Sequence, residues 1–199
     1  MGRVRKFAGD SCYLSPCIPE DAEAWYRWLH DPQVALLAGR AAFDPPSLQA
    51  LRQAVERSYG PSRHMFTILT IDGDRTIGRC DIGDVDHVNR RGWVNILIGE
   101  PEFWGKGYGT EALRLLLDFA FTLLDLNTIM LDTIAFNERA IACYKKVGFR
   151  EMGRWRESRV VNGVAHDLVF MDLLASEFDG TGLRGTVVQT MRDAGCTKR

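Results

Sequence analysis

The sequence predicts a mixed α/β domain, a largely antiparallel sheet flanked by helices, and three observations predict it. First, β-rich stretches at residues 65–71, 76–85 and 93–98 follow one another with only turns between them. Second, from Thr110 the apolar period becomes helical, with Ala112, Leu113, Leu116, Leu117, Ala120 and Leu124 on one face and Glu111, Arg114 and Asp118 elsewhere. Third, the chain closes on two long β-rich stretches joined by Asn162-Gly163, a type I′ hairpin signal. Strict alternation of strands and helices would have argued for a doubly wound parallel sheet; this order argues against one.

Taken in order, residues 13–18 read as a first strand that ends at Pro19. Glu20-Asp21 open a helix with acidic residues in its first turn, and Asp31-Pro32 stop it after Leu29. A second helix starts after Pro45-Pro46 with Ser47 as N-cap and ends at Gly60-Pro61. Asp72-Gly73 turns the first of the central strands into the second, and residues 89–92 turn the second into the third. After the long helix comes a β-branched strand over residues 128–134. A helix capped by Asn137 follows, stopped by Gly148, and then the final hairpin over residues 155–173. Residues 1–177 are expected to form one domain and residues 178–199, rich in Gly and Thr, a peripheral tail.

Composition removes several function classes. At 199 residues with 46% hydrophobic and 26% charged residues, the chain can bury a full core. Its formal net charge of −1 lacks the basic surplus of a nucleic-acid binder. The basic start at residues 1–6 leads into no apolar run, and the apolar stretch near Leu115–Leu124 is broken by Asp118, so neither a secretory signal nor a membrane span is expected. Five cysteines without CxxC spacing argue against a disulfide framework or a zinc site, which leaves a reduced cytoplasmic protein without metal as the expectation.

Two segments carry chemistry. In Phe103-Trp104-Gly105-Lys106-Gly107-Tyr108-Gly109-Thr110, three alternate glycines sit between a strand and a helix. They let the backbone approach a ligand closely, and the helix N-terminus behind them favours an anion such as pyrophosphate. A Walker loop fails on spacing, because five residues separate Gly99 from Gly105 and Gly107 follows Lys106. A dinucleotide fingerprint is weak, since the third glycine falls at Gly109 and Thr110 stands where that motif wants it. The second segment runs from Asn137 through Tyr144 to Gly148-Phe149. Asn137 and Tyr144 are seven apart, roughly 700° of helix, so they fall within about 20° of one face and line one groove.

Together these segments resemble the GNAT superfamily of N-acetyltransferases, and most closely its branch with ribosomal-protein N-terminal and spermidine acetyltransferases. The resemblance runs from about Tyr13 to Leu174 and includes Trp28-Leu29-His30-Asp31-Pro32-Gln33-Val34 and Asn162-Gly163-Val164-Ala165-His166-Asp167. It implies a splayed sheet with the pantetheine arm of acetyl-CoA between two diverging strands. The main chain at Leu97, Ile98 and Gly99 would bond that arm, and Asn137 would touch it. Trp104, Gly105, Lys106, Gly107, Tyr108, Gly109 and Thr110 would hold the pyrophosphate. Tyr144 would protonate the leaving thiolate, a role a phenol within hydrogen-bond reach can serve. The partners it implies are acyl-CoA and a primary amine, a small molecule or a protein N-terminus, with a homodimer through the C-terminal hairpin expected by analogy.

The chain departs from the family pattern at two positions. Trp104 stands where the phosphate loop usually begins with Arg or Gln, and Trp93 aligns where relatives often carry a Glu on the fourth strand. The general base is thus open among Glu100, Asp81, His64, His166 and a water chain. Without a strong base, an α-amine near pKa 7.7–8.0 costs about 1–1.4 kcal/mol to deprotonate at pH 7, against roughly 4.6 kcal/mol for a lysine. That favours a peptide N-terminus as acceptor. Trp25 and Trp28, at i and i+3, are expected in the core, with Phe43 a wall of the acceptor pocket and Cys143 a small buried hydrophobe. The competing reading is a CoA-binding or sensor module that does not turn over.

Overall fold

A computed structural model describes residues 2–39, 43–57, 59–180 and 182–193. Along the chain lie β1 (Phe7–Ala8), β2 (Cys12–Pro16), α1 (Asp21–His30), α2 (Pro32–Ala35), α3 (Leu48–Glu56), β3 (Tyr59–Gly60), β4 (Arg63–Thr70), β5 (Thr76–Asp86) and β6 (Arg91–Ile98). Then come α4 (Tyr108–Thr122), β7 (Thr128–Ile134), α5 (Glu138–Val147), β8 (Arg150–Val161), β9 (Val164–Leu174) and α6 (Leu183–Asp193). The sheet order is β1-β2-β4-β5-β6-β7-β9-β8, with β3 paired to β4 at one side. Every pairing is antiparallel except β6 with β7.

That exception makes the site. β6 and β7 pair only from Arg91↔Thr128 to Trp93↔Met130 and then part, although β6 runs on to Ile98 and β7 to Ile134. Helices cover both faces. Ala112, Leu113, Leu116 and Leu117 of α4 pack with Ile82, Val94 and Ile129 on one side. Trp25, Trp28 and Leu29 of α1 pack with Leu51, Val55 and Met65 on the other, where Leu97 also lies. The mixed, splayed, largely antiparallel sheet is thus the one the sequence implies.

Local chemistry explains most boundaries. The Ser47 hydroxyl accepts from the Ala50 N–H at 3.1 Å and starts α3. Asn162 and Gly163 both have positive φ, 50° and 76°, as a type I′ turn between β8 and β9 requires. Asp31-Pro32 ends α1 as expected but also begins α2, because the Asp31 carboxylate caps the Gln33 N–H at 2.9 Å and Pro32 takes the first turn. β1 and β3, two residues each, are too short to leave a period in the sequence.

The segment after Glu177 has more structure than its composition suggests. Phe178 packs on Phe121 with ring centroids 5.4 Å apart, and the Leu183 N–H donates to the buried Asp118 carboxylate at 3.1 Å. α6 is mostly exposed, yet it lies against α4 and Leu183 at its start packs on the core; residues 181 and 194–199 of the expected tail fall outside the described residues.

The end of α5 is built as a Schellman motif. Gly148 has φ 118°, its N–H donates to the carbonyls of Tyr144 and Lys145, and the Phe149 N–H returns to the Tyr144 carbonyl at 3.0 Å. A Cβ at Gly148 would stand 3.3 Å from Leu173 Cδ1 in a backbone conformation that suits glycine. Gly148→Ala is therefore expected to lower stability by about 1–2 kcal/mol, read as a shift of the urea midpoint without change of slope.

Candidate active site

The loop between β6 and α4 presents bare donors. Gly105 and Gly107 have φ of 71° and 94°, and Gly107 occupies the N-cap position with no side-chain cap. Among the described residues, no N–H from Gly105 to Thr110 donates to a protein acceptor. Helix ends normally find such partners; here Gly105, Gly107, Gly109 and Thr110 border the cleft where β6 leaves β7. A cavity of about 310 Å³ fills that cleft, walled by Ile96, Leu97 and Ile98 of β6, by the glycine loop, and by α5 from Asn137 to Lys146.

The expected cosubstrate residues divide on inspection. Leu97, Ile98, Trp104, Gly105, Gly107, Gly109, Thr110, Asn137 and Tyr144 all line this cavity. Lys106 lines an adjoining cavity of about 540 Å³ with Lys146 and Arg114, which shares Gly107 and Thr110 with the first. Tyr108 lines neither and packs edge-on against Phe103 with centroids 5.1 Å apart. Gly99 also stands outside. Its N–H donates to the Ile77 carbonyl at 2.9 Å, and a Cβ there would run into the Trp28 ring. Because antiparallel bonding alternates, a Gly99 turned toward β5 leaves the main-chain groups of Ile96 and Ile98 facing the cleft. One of these is occupied: the Trp104 indole donates to the Ile98 carbonyl at 2.7 Å, with the Arg139 guanidinium 3.8 Å from its ring centroid. Trp104 therefore braces the loop against β6.

Asn137 caps α5, accepting from the Ala140 N–H at 3.3 Å, and still lines the groove. Two turns on, Tyr144 is buried apart from its exposure to the cavities, its ring backed by Phe149 at 6.1 Å. Its hydroxyl makes no hydrogen bond to a described residue. Burial, with the fields of Cys143 and Asp132, pushes its pKa up, so the phenol keeps its proton.

Tyr144 also lines a second cavity, of about 370 Å³, on the α1 side of the sheet. Ile96, Leu97 and Tyr144 are common to both spaces. Phe43, expected as a wall of the acceptor pocket, lines this second cavity while remaining largely exposed. Trp25 and Trp28 are buried in the core beneath, and Cys143 is half-buried with its sulfur 3.3 Å from the Thr110 hydroxyl.

The candidate bases separate as clearly. Glu100 accepts from the Trp28 indole at 3.0 Å, lies near Arg27 and Arg75, and lines none of the three cavities. His64 packs against Phe119 and His166 against Phe136, also away from the cavities. Asp81 does line the second cavity, bound to Arg63 at 3.1 Å and Asn95 at 3.3 Å.

A carboxylate that the sequence reading passed over is there too. Asp132, on β7 just beyond the point of divergence, lines the cavity and feels the Tyr144 ring. Burial raises its pKa, while Arg159 and the Trp93 indole pull it back down. In the sequence it is only an Asp inside a β-branched strand, and in the structure it sits on the less buried face of that strand. Among the described residues no group of three His, Cys, Asp or Glu side chains is placed to hold a metal ion, and no helix is long and apolar enough to cross a membrane.

Comparison with known proteins agrees with this arrangement. The acetyltransferase (GNAT) domain profile matches residues 12–150. YdaF of Bacillus subtilis (strain 168), provisionally named a ribosomal N-acetyltransferase, is 32% identical over 169 residues, covering 81% of this chain and 90% of its own. Spermidine N(1)-acetyltransferase of Escherichia coli (strain K12) is 32% identical over 111 residues, covering 56% of this chain and 59% of its own. Among solved structures, spermidine N-acetyltransferase from Vibrio cholerae in complex with CoA and spermine superposes with a TM-score of 0.76 at 22% identity, covering 83% of this chain and 96% of that one. The chain belongs to the GNAT family of acetyltransferases, enzymes that move an acetyl group from acetyl-CoA to an amine.

Proposed function

We propose that the protein transfers an acetyl group to the α-amine of a peptide or protein in a ternary complex, with Tyr144 as general acid and Asp132 as general base. The observation that carries this reading is the position of Tyr144, which lines both cavities and whose hydroxyl has no partner among the described residues. The thioester enters from the glycine-loop side, its pyrophosphate on the bare N–H groups of residues 105–110 and its arm along the exposed edge of Ile96 and Ile98. The amine enters from the side of Asp132. The amine lone pair attacks the thioester carbonyl, the carbon–sulfur bond breaks, the amine proton passes to Asp132, and the thiolate takes a proton from Tyr144.

The acceptor follows from the strength of that base. Burial raises the Asp132 pKa, which makes it a better base than an exposed carboxylate, and an α-amine near 7.7–8.0 needs less help from a base than a lysine does. Losing the base then costs an α-amine acceptor only its protonated fraction. Asp132→Asn is expected to lower kcat/KM about five- to tenfold at pH 7 with a peptide bearing only an α-amine, and hardly at all above pH ~8. Because only the ionised carboxylate accepts a proton, the wild-type rate should fall as pH drops through the raised Asp132 pKa, whereas the variant's fall should begin already at the acceptor's own pKa near 7.7–8.0. A pH–rate comparison from 5 to 10 checks both. An unchanged acid limb in Asp132→Asn would remove Asp132 from the mechanism. Firm acetyl-CoA binding without thiol release to any amine would instead favour the non-catalytic module.

The homodimer through the β8–β9 hairpin stays part of this proposal. Met152, Trp155, Val160 and Val164 expose apolar surface there, which supports it.

A further inference from the structure

The acceptor cavity contains a cation that its surroundings do not explain. Arg79, on β5, lines it. The guanidinium carbon lies 4.8 Å from the ring centroid of the fully buried Trp25, and the side chain is partly buried. Among the described residues it makes no hydrogen bond and no ion pair. Arg63, by contrast, is satisfied by Asp81 at 3.1 Å. A guanidinium has five N–H donors in a fixed fork suited to planar oxygen acceptors, and one withdrawn from water without acceptors is unfavourable. Burial lowers its pKa, opposed by the field of Asp81. Its strand partner is Leu97, which lines both cavities, so β5 holds Arg79 beside the junction where Tyr144 stands.

The charge of the cavity points the same way. Among the described lining residues, the guanidinium groups of Arg63, Arg79 and Arg159 outnumber the carboxylates of Asp81 and Asp132. A polyamine would bring further positive charge into a space that already has an excess of it. An acceptor with an oxygen beside its amine would complete the fork of Arg79 and balance the charge.

We infer that Arg79 is the specificity-determining residue of the acceptor cavity, and that it recognises a carbonyl or carboxylate oxygen next to the reacting amine, which excludes polyamines. This rests on the acyl-transfer reading above. Trp25 holds the guanidinium from beneath, leaving its edge to face the substrate.

The test is steady-state kinetics of the full-length chain with four acceptors: a lysine-free unblocked peptide, alanine, butylamine and spermidine. Wild type should prefer the peptide or alanine to both oxygen-free amines. Arg79→Gln should raise the KM for the preferred acceptor about 10- to 100-fold, the scale of losing a hydrogen bond to a charged group. The KM for butylamine and for acetyl-CoA should stay within about twofold, an outcome a merely structural Arg79 would not give. An effect confined to alanine assigns a carboxylate; an effect on the peptide assigns a peptide carbonyl. If the Gln variant does not fold, Arg79→Lys keeps a cation on Trp25 without the fork and is read by the same ratio of KM values. Equal loss on all four acceptors, no loss on any, or a wild type that prefers spermidine would overturn the inference while leaving acyl transfer intact. A wild type that acetylates none of them while binding acetyl-CoA would overturn the acyl-transfer reading and this inference with it.

Discussion

Tyr144→Phe is expected to lower kcat by about 10²-fold or more, the usual scale for losing a positioned general acid, with the acetyl-CoA KM near its wild-type value. The substitution removes one oxygen and leaves everything that positions the ring. The Tyr144 carbonyl still accepts from Gly148 and Phe149, and Phe149 still packs behind the ring. The hydroxyl has no partner among the described residues, so its loss leaves no buried donor or acceptor stranded. Stability should therefore hold, and a drop in kcat can be read as chemistry. Stopped-flow or continuous thiol detection under saturating acetyl-CoA makes the measurement. Turnover at the wild-type rate would reduce Tyr144 to a wall of the groove.

Gly107→Val is expected to weaken acetyl-CoA binding by at least about a hundredfold, as if two charge-assisted hydrogen bonds were lost. The cause is not a clash inside the protein, because nothing lies within 4 Å of the position a Cβ would take. It is the backbone: φ is 94° at Gly107, where a β-branched residue is a genuine outlier. Relieving that strain turns the N–H groups of the loop away from one another, and the new methyl groups stand where Gly107 borders both adjoining cavities. The loop is exposed at Gly105, Lys106 and Gly107, so the free protein should melt close to the wild type. Titrating acetyl-CoA into a thermal-shift assay separates the two effects. Equal stabilisation of both proteins would rule out the loop as the anion site.

How much of this could be read from the chain depends on the range of the interaction. Ser47, Asn137, Asn162-Gly163 and Gly148 act on backbone within a few residues, and each stands where its local chemistry predicts. The glycine loop and Tyr144 were legible for the same reason, being carried by contiguous segments. The base was not. Asp132 becomes distinctive only when β6 and β7, far apart in sequence, part beside it. Arg79 likewise looks like any strand cation until Trp25 from α1 closes under it. Gly99 misled in the opposite direction. Its position in the sequence suits the arm of the cosubstrate, but strand alternation turns its N–H toward β5 and gives the cleft to Ile96 and Ile98.

If acetyl-CoA binds at the uncapped start of α4 as proposed, folding is tied to the supply of cosubstrate. α3 and α5 close their first turns with their own side chains, Ser47 and Asn137, whereas α4 has no side-chain cap, and on the proposed reading acetyl-CoA takes that place. By mass action a ligand at a hundred times its Kd adds about 2.7 kcal/mol to the folded state, a sizeable part of the 5–15 kcal/mol that holds a typical domain together. When acetyl-CoA runs short, the unfolded fraction should rise about a hundredfold, and with it the rate at which proteases that track that fraction remove the chain. Abundance of the enzyme, and not its turnover alone, would then follow the acetyl-CoA level of the cell.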